Sequence, residues 1–167
     1  TEYLKNPIGI DISAPRLFWN CEGGREQSAY QIVAADDGGT PLWDSGKVEE
    51  KSMRASWGGA PVKPQTRVLW KIRLWDETGA PGNWQEASFE TGIDAWAAEW
   101  ITGNYRVHKK HRYPVDCFRR RFTTSHVKKA RLYITACGLY EARLNSVRVG
   151  DFVLAPGHTD YRKRVQY

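Results

Sequence analysis

Residues 68–76 read Val-Leu-Trp-Lys-Ile-Arg-Leu-Trp-Asp. Val68, Trp70, Ile72 and Leu74 recur at every second position, with Lys71 and Arg73 between them. Successive side chains of an extended strand point to opposite faces, so a period of two sorts these residues into an apolar and a polar face. The segment is a strand with one face in a core and the other toward solvent. Outward from it, further strand candidates recur at the roughly 8–12-residue spacing of a sandwich: 16–20, 29–35, 42–48, 53–57 and 84–91. Asp37-Gly38-Gly39, Gly58-Gly59-Ala60-Pro61 and Thr78-Gly79-Ala80-Pro81-Gly82 supply the turns. No stretch has a 3.6-residue apolar period with a proper cap. The fold class expected is all-β, beginning with an immunoglobulin-like or fibronectin-III-like sandwich.

The 167 residues divide by composition. Residues 1–95 hold ten Lys/Arg against fourteen Asp/Glu, a net −4, whereas residues 96–167 hold fifteen against five, a net +10. All eight Trp lie at or before Trp100, and all four His lie after it. A domain boundary is therefore expected near 94–100, giving units 1–95 and 96–167. Hydrophobic residues at 41% and aromatics at 13% are those of a globular chain, not a disordered one. No apolar run approaches the roughly 20 residues of a membrane helix. Cys21, Cys117 and Cys137 show no CxxC spacing, which favours buried free thiols over a disulfide framework or a zinc site. Thiols and the lack of a signal-like opening in TEYLKNPIGID point to a cytoplasmic location. A secreted protein with its signal cleaved would read the same way.

In the second unit, residues 130–164 run ARLYITACGLYEARLNSVRVGDFVLAPGHTDYRKR. Ala130, Leu132, Ile134 and Ala136 alternate with Lys129, Arg131, Tyr133 and Thr135, which predicts another half-buried strand. The segment 139–144 leads into Asn145-Ser146, a hairpin turn in which Ser tolerates positive φ less well than Gly would, and Val147 and Val149 pair back.

This stretch closely resembles the start of the N-terminal β-sandwich of bacterial α-L-rhamnosidases, the family 78 glycoside hydrolases. Their pattern is A-R-L-Y-I-x-A-x-G-x-Y-E-x-x-L-N-G-x-R-V-G-D followed by L-x-P-G-x-T-D-Y-x-K-R. The first unit resembles the module that opens many of these enzymes. Asn6-Pro7-Ile8-Gly9-Ile10-Asp11 with Pro15-Arg16-Leu17-Phe18-Trp19, then Gln27-Ser28-Ala29-Tyr30-Gln31-Ile32, Leu42-Trp43-Asp44-Ser45-Gly46-Lys47-Val48 and Trp70-Lys71-Ile72-Arg73-Leu74-Trp75-Asp76, carry that likeness in order. The resemblance implies a fibronectin-III-like sandwich at 1–95 and, at 96–167, the N-terminal, incomplete part of a jelly-roll-like accessory sandwich.

No residue is assigned to catalysis. Glycoside hydrolysis generally uses two carboxyl groups, about 6.5–9.5 Å apart in inverting enzymes. Asp36-Asp37 and Glu49-Glu50 are adjacent pairs at strand ends, where neighbours face opposite ways and turns attract acids in any case. Glu99, Asp116, Glu141, Asp151 and Asp160 are the acids of the second unit, and Glu141 and Asp151 match structural positions of the family motif. The resemblance places the catalytic acids on a helical barrel beyond this region. His108-Lys109-Lys110-His111 lacks a third ligand at useful spacing and reads as a basic loop, so no metal and no cofactor is assigned. Gly23-Gly24, Gly38-Gly39 and Gly58-Gly59 fit neither nucleotide fingerprint. No Ser lies in a sequence like a nucleophile elbow.

Two surfaces remain. Arg106–Arg112 (106–112), Arg119-Arg120-Arg121 and Lys128-Lys129, with Tyr105 and Tyr113, are a basic patch able to meet phosphates. Alternation groups Phe118, Arg120 and Phe122 on one face there. The Trp residues offer flat rings to sugars, but Trp19, Trp43, Trp70 and Trp84 occupy family framework positions and are expected in the core. Trp57 and Trp75 are expected to be freer for exposure; no carbohydrate-binding residue is named. The leading expectation is a non-catalytic N-terminal fragment of an inverting α-L-rhamnosidase. It would serve as scaffold, with rhamnose-containing glycosides or polysaccharides and the remaining domains as its partners and no membrane partner. A stand-alone carbohydrate-binding module is the alternative, and a nucleic-acid binder stands behind it.

Overall fold

A computed structural model describes residues 1–21, 26–108 and 110–167. Two compact units result, residues 1–99 and 100–167. The described residues contain strands and no helix.

The first unit is built on a five-stranded sheet in the order β1-β7-β6-β3-β4, with β1 at Ile8–Ile10, β3 at Gln27–Asp36, β4 at Pro41–Asp44, β6 at Arg67–Asp76 and β7 at Gln85–Thr91. A two-stranded ribbon, β2 (Arg16–Phe18) against β5 (Arg54–Ser56), faces it. The long pair β3–β6 is antiparallel from Gln27 opposite Asp76 to Asp36 opposite Val68. Near its start the register shifts between Gln27 and Ala29, and the Ser28 hydroxyl donates to the Asp76 carbonyl at 2.5 Å. That extra residue in β3 is a bulge, which re-aims the chain at a sheet end.

Both long strands end in the same turn. Asp36 N–H donates to Thr40 O and Gly39 N–H to Asp36 O, while Asp76 N–H donates to Ala80 O and Gly79 N–H to Asp76 O, all at 3.0 Å. The aspartate carboxylates close each turn by accepting from the amides of Gly38 and Thr40, and of Thr78 and Ala80. Gly39 and Gly79 take φ of +85° and +80°, values costly for a residue with a Cβ. Sequence and turn therefore agree at both hairpins.

Val68, Trp70 and Ile72 of β6 join Ile32 and Ala34 of β3, Phe89 of β7, Leu17 of β2, and Trp57 and Val62 in one buried cluster. The alternation of 68–76 thus fixes which face of the sheet is core. Two details of the first unit depart from expectation. A strand at Ile8–Ile10 runs parallel to β7, Ile8 opposite Glu90, where only an entry motif was read. The strand read at 42–48 stops at Asp44, and Val48 instead exchanges both backbone hydrogen bonds with Tyr30.

The second unit departs further. The half-buried strand predicted at 129–136 does not form a ladder, nor does the alternating segment 118–122. A strand needs a neighbour for its backbone groups and a surface for its apolar face. Among the described residues of 100–167 none is buried, and Phe118, Phe122 and Leu132 are all exposed. Among the described residues of this unit the one ladder is the hairpin of β8 (Arg143–Leu144) and β9 (Val147–Arg148). Its turn residues Asn145 and Ser146 have φ of 49° and 69°, so the chain adopts the positive-φ turn with Ser in the place that suits Gly.

Phe89 is 1% exposed and meets Trp57 edge-on at 5.7 Å between ring centroids. Phe89→Ala is expected to lower the unfolding free energy of the first unit by about 3–5 kcal/mol. Urea denaturation followed by Trp fluorescence measures it, and a loss under about 1 kcal/mol would show that the core collapses around the gap.

Candidate functional site

The solvent-side face of β6 carries Lys71, Arg73 and Trp75, and Trp84 just before β7 joins them. The Arg73 guanidinium carbon lies 4.8 Å from the Trp75 ring centroid and 4.7 Å from that of Trp84. The Lys71 ammonium sits 5.0 Å from Trp84 and the Lys47 ammonium 5.2 Å from Trp75. Arg73 Nη2 donates to Gln31 Oε1 at 3.1 Å, and Gln31 Nε2 donates to Asp44 Oδ1 at 2.9 Å. That bond, with the Gly46 amide, holds the Asp44 carboxyl below its ordinary pKa. Cations stack on the negative faces of aromatic rings, so this is a ladder of alternating rings and charges built on β6 and flanked by Trp84 and Lys47 from neighbouring loops. It fixes both Trp side chains and uses ring surface that a sugar would need.

The Trp expectations are sorted by this geometry. Trp70 is in the core, and Trp19 and Trp43 pack against it. Trp84 is not a core residue: its position after the hairpin turn puts it on the outer face with Arg73 and Lys71. Trp57 is not free for exposure. It is 6% exposed, donates its indole N–H to Ala60 O at 2.8 Å and packs 5.2 Å from Trp43. The reason lies in Gly58-Gly59. A Cβ at Gly58 would come 2.9 Å from Trp43 Nε1, and one at Gly59 2.8 Å from Leu42 O, so these glycines let the loop close over the rings. Trp75 is on the outer face, half-buried in the ladder. The pairing of Lys71, Arg73 and Trp75 was legible as an i, i+2 set; the arrival of Trp84 from the segment before β7 was not.

Several of the acids serve turns, ion pairs and hydrogen bonds. Asp36 caps its turn and is held below its ordinary pKa chiefly by the Thr40 amide. Glu49 faces Lys47 at 3.8 Å. Asp116 accepts from the Tyr105 hydroxyl at 3.1 Å, Glu141 pairs with Arg143 at 2.7 Å, and Asp160 with Arg162 at 3.2 Å. Glu99 and Asp151 are exposed. His108 and His111 lie with ring centroids 4.5 Å apart, and His108 Nδ1 accepts from the Lys110 amide. No group of three His, Cys, Asp or Glu side chains able to hold a metal occurs among the described residues. Gly23-Gly24 and Lys109 lie outside them. Tyr105 and Tyr113 stack on each other at 4.8 Å, and Arg106, Arg112, Arg119, Arg120, Arg121, Lys128 and Lys129 are exposed. Cys21 is half-buried, whereas Cys117 and Cys137 are exposed, so buried thiols were the wrong expectation for these two. Their segments have no core to enter. No helix among the described residues is long and apolar enough to cross a membrane.

A cavity of about 940 Å³ opens in the first unit between the inner face of β6, the start of β7, the end of β2 and the N-terminal residues. The N-terminal wall is clipped to β2: Glu2 N–H donates to Arg16 O at 2.9 Å, and the Arg16 guanidinium holds the Glu2 carboxylate at 2.6 Å. The Arg16 hydrogen bond is the main cause of a lowered Glu2 pKa.

These features define an all-β chain whose first unit is an immunoglobulin-type sandwich. Residues 1–95 match the family model described as "Rha78A-like, N-terminal immunoglobulin domain", and residues 125–167 match "Alpha-L-rhamnosidase N-terminal domain". The chain belongs to the family of Rha78A-like N-terminal immunoglobulin domains. An α-L-rhamnosidase of Formosa agariphila is 32% identical over 186 residues, 99% of this chain and 20% of the relative. One from Streptomyces avermitilis is 41% identical over 113 residues, 60% of this chain and 11% of the relative. The chain thus spans about a fifth of the length of relatives that it matches end to end. Among solved structures, α-L-rhamnosidase from Dictyoglumus thermophilum has a TM-score of 0.68 at 28% identity, covering 98% of this chain and 22% of that one. The Streptomyces avermitilis enzyme, solved with L-rhamnose, has a TM-score of 0.54 at 37% identity, covering 60% and 11%.

Arg73→Ala removes the middle rung of the ladder and leaves two half-covered rings. It is expected to lower first-unit stability by about 1–2 kcal/mol and to change the emission of Trp75 and Trp84; an unchanged urea midpoint and spectrum would show the stack carries no energy. Glu2 gives a pH prediction. Its folded pKa is lowered, so its contribution is present above the unfolded value and lost as pH falls through the folded one. Glu2→Gln is therefore expected to lower the neutral-pH urea midpoint and flatten part of the decline below the ordinary glutamate range. Asp36 and Asp44 retain the rest of that decline. A variant with the wild-type pH slope would remove Glu2 from this account.

Proposed function

We propose that this chain is the N-terminal, non-catalytic part of an α-L-rhamnosidase, an enzyme releasing terminal α-L-rhamnose from glycosides or polysaccharides by hydrolysis with inversion. The observation that carries the reading is the order of the two family matches, an N-terminal immunoglobulin domain at 1–95 and an N-terminal rhamnosidase domain at 125–167. The first unit supplies a scaffold in which Asp36 and Asp76 close turns, and in the second unit Glu141 and Asp160 pair with Arg143 and Arg162. Rhamnose-containing glycans are then substrates of the larger protein, bound and cleaved on other domains. The thiols of Cys117 and Cys137, exposed and outside any disulfide, support a reducing, cytoplasmic location.

The test is the gene. The reading frame is expected to continue past the Tyr167 codon into further strands and then a helical barrel bearing acidic residues; a stop codon there would overturn the proposal. The purified 167-residue chain is expected to release no rhamnose from an aryl α-L-rhamnoside, and measurable release would overturn its non-catalytic part.

A further inference from the structure

Residues 105–129 hold nine Lys/Arg and a single acid, Asp116, a net +8. Every residue described in this stretch is exposed, and none lies in a strand. The one carboxylate is engaged locally: both its oxygens accept from the Tyr105 hydroxyl at 3.1 Å. Tyr105 stacks on Tyr113 with 4.8 Å between ring centroids. The Tyr113 hydroxyl in turn accepts from the His108 amide at 2.8 Å and donates to Arg106 O at 3.2 Å. These contacts shape the loop 105–116 without using its cationic side chains. Arg106, Lys110, Arg112, Arg119, Arg120 and Arg121 are exposed, and none makes an ion pair among the described residues. Like charges at this density repel and gather small counter-ions from solution. A polyanion that displaces those ions binds with the free energy of their release.

We infer that residues 105–129 form a docking surface for an anionic polysaccharide, one whose sugar rings carry carboxylates. Five of the six cations just named are arginines, whose planar fork pairs with a carboxylate through two parallel hydrogen bonds. The segment has no helix or β-ribbon to enter the groove of a duplex. Single-stranded nucleic acid binds on free aromatic faces, and Tyr105 and Tyr113 each give one face to the other. The choice of a polysaccharide among polyanions rests on the reading of this chain as part of a glycan-cleaving enzyme. On that reading the surface holds an acidic stretch of polymer apart from the bond that other domains cleave.

The experiment titrates fluorescein-labelled polygalacturonate, dextran and poly(dT) of matched length with the full chain and follows anisotropy. Polygalacturonate is expected to bind saturably, with a Kd on the order of 10 μM at about 50 mM salt and about tenfold weaker at about 200 mM. Dextran, which has no charge, is expected not to bind. Replacing Arg119, Arg120 and Arg121 together by Gln is expected to weaken polygalacturonate binding about tenfold, whereas Lys71→Gln in the first unit leaves it unchanged. Arg106→Gln with Arg112→Gln, expected to weaken it about fivefold, carries the comparison if the triple variant precipitates. Equal binding of dextran, poly(dT) binding as tightly as polygalacturonate, a Kd indifferent to salt, or variants that bind like wild type would each overturn the surface. The poly(dT) arm also tests the exposed Phe118 and Phe122 rings as platforms for bases. A stop codon after Tyr167 would strike the rhamnosidase reading and leave the binding result standing, so the two failures are told apart.

Discussion

Strands β3 and β6 lie antiparallel over ten residues each, and the other elements of the first unit are placed by that ladder. β4 adds to the free edge of β3 and β7 to the free edge of β6, both by way of the paired aspartate turns at Asp36 and Asp76. β1 pairs with β7 and sets Ile10 against the core, and the β2–β5 ribbon is held through Leu17 and Trp57 on the inner face. A slip of one residue in β3–β6 would send Val68, Trp70 and Ile72 to water and Lys71 and Arg73 into the core. The register is therefore specified by burial, and the turns and the Ser28 bulge are consistent with it instead of setting it.

Magnitudes separate the two faces of that sheet. Each fully buried Val, Leu, Ile or Phe contributes about 1.5–3 kcal/mol, and several such side chains converge on the inner face. A surface cation–π contact contributes about 0.5–1 kcal/mol. The inner face thus decides that the unit folds, and the Lys47-Trp75-Arg73-Trp84-Lys71 ladder decides how the outer face is ordered. This also bears on carbohydrate recognition. A ring already stacked on a guanidinium has less free face for a sugar, so the number of tryptophans is a poor guide to where a glycan would sit.

What could be read in advance divides along the same physical line. The central strands were legible because a buried face writes a period of two into the residues themselves. The all-β class and the family likeness followed from it. β1 was not legible: three residues of a parallel edge carry no alternation, and their partner Glu90 is 82 positions away from Ile8. Trp57 was misjudged for a different reason. A glycine pair reads as an exposed turn, whereas here the missing Cβ atoms allow close approach to Trp43 and bury the ring. The cavity left almost no signal, since Thr1, Tyr3 and Trp70 come together only through the fold.

The second unit shows the limit of pattern. Residues 129–136 alternate as cleanly as 68–76, yet they form no ladder, because alternation specifies a face and not what covers it. The hairpin 143–148 forms since its needs are local: four strand residues and a turn whose positive φ values Asn145 and Ser146 accept. Nothing comparable exists for Leu132 or Phe122, whose partners would have to come from elsewhere. Charge works in the same direction. Fifteen Lys/Arg against five Asp/Glu in residues 96–167 repel one another and oppose compaction, and no buried apolar group among the described residues of that unit offsets the repulsion. The contrast between the two units is therefore one of burial, with the same strand grammar written in both.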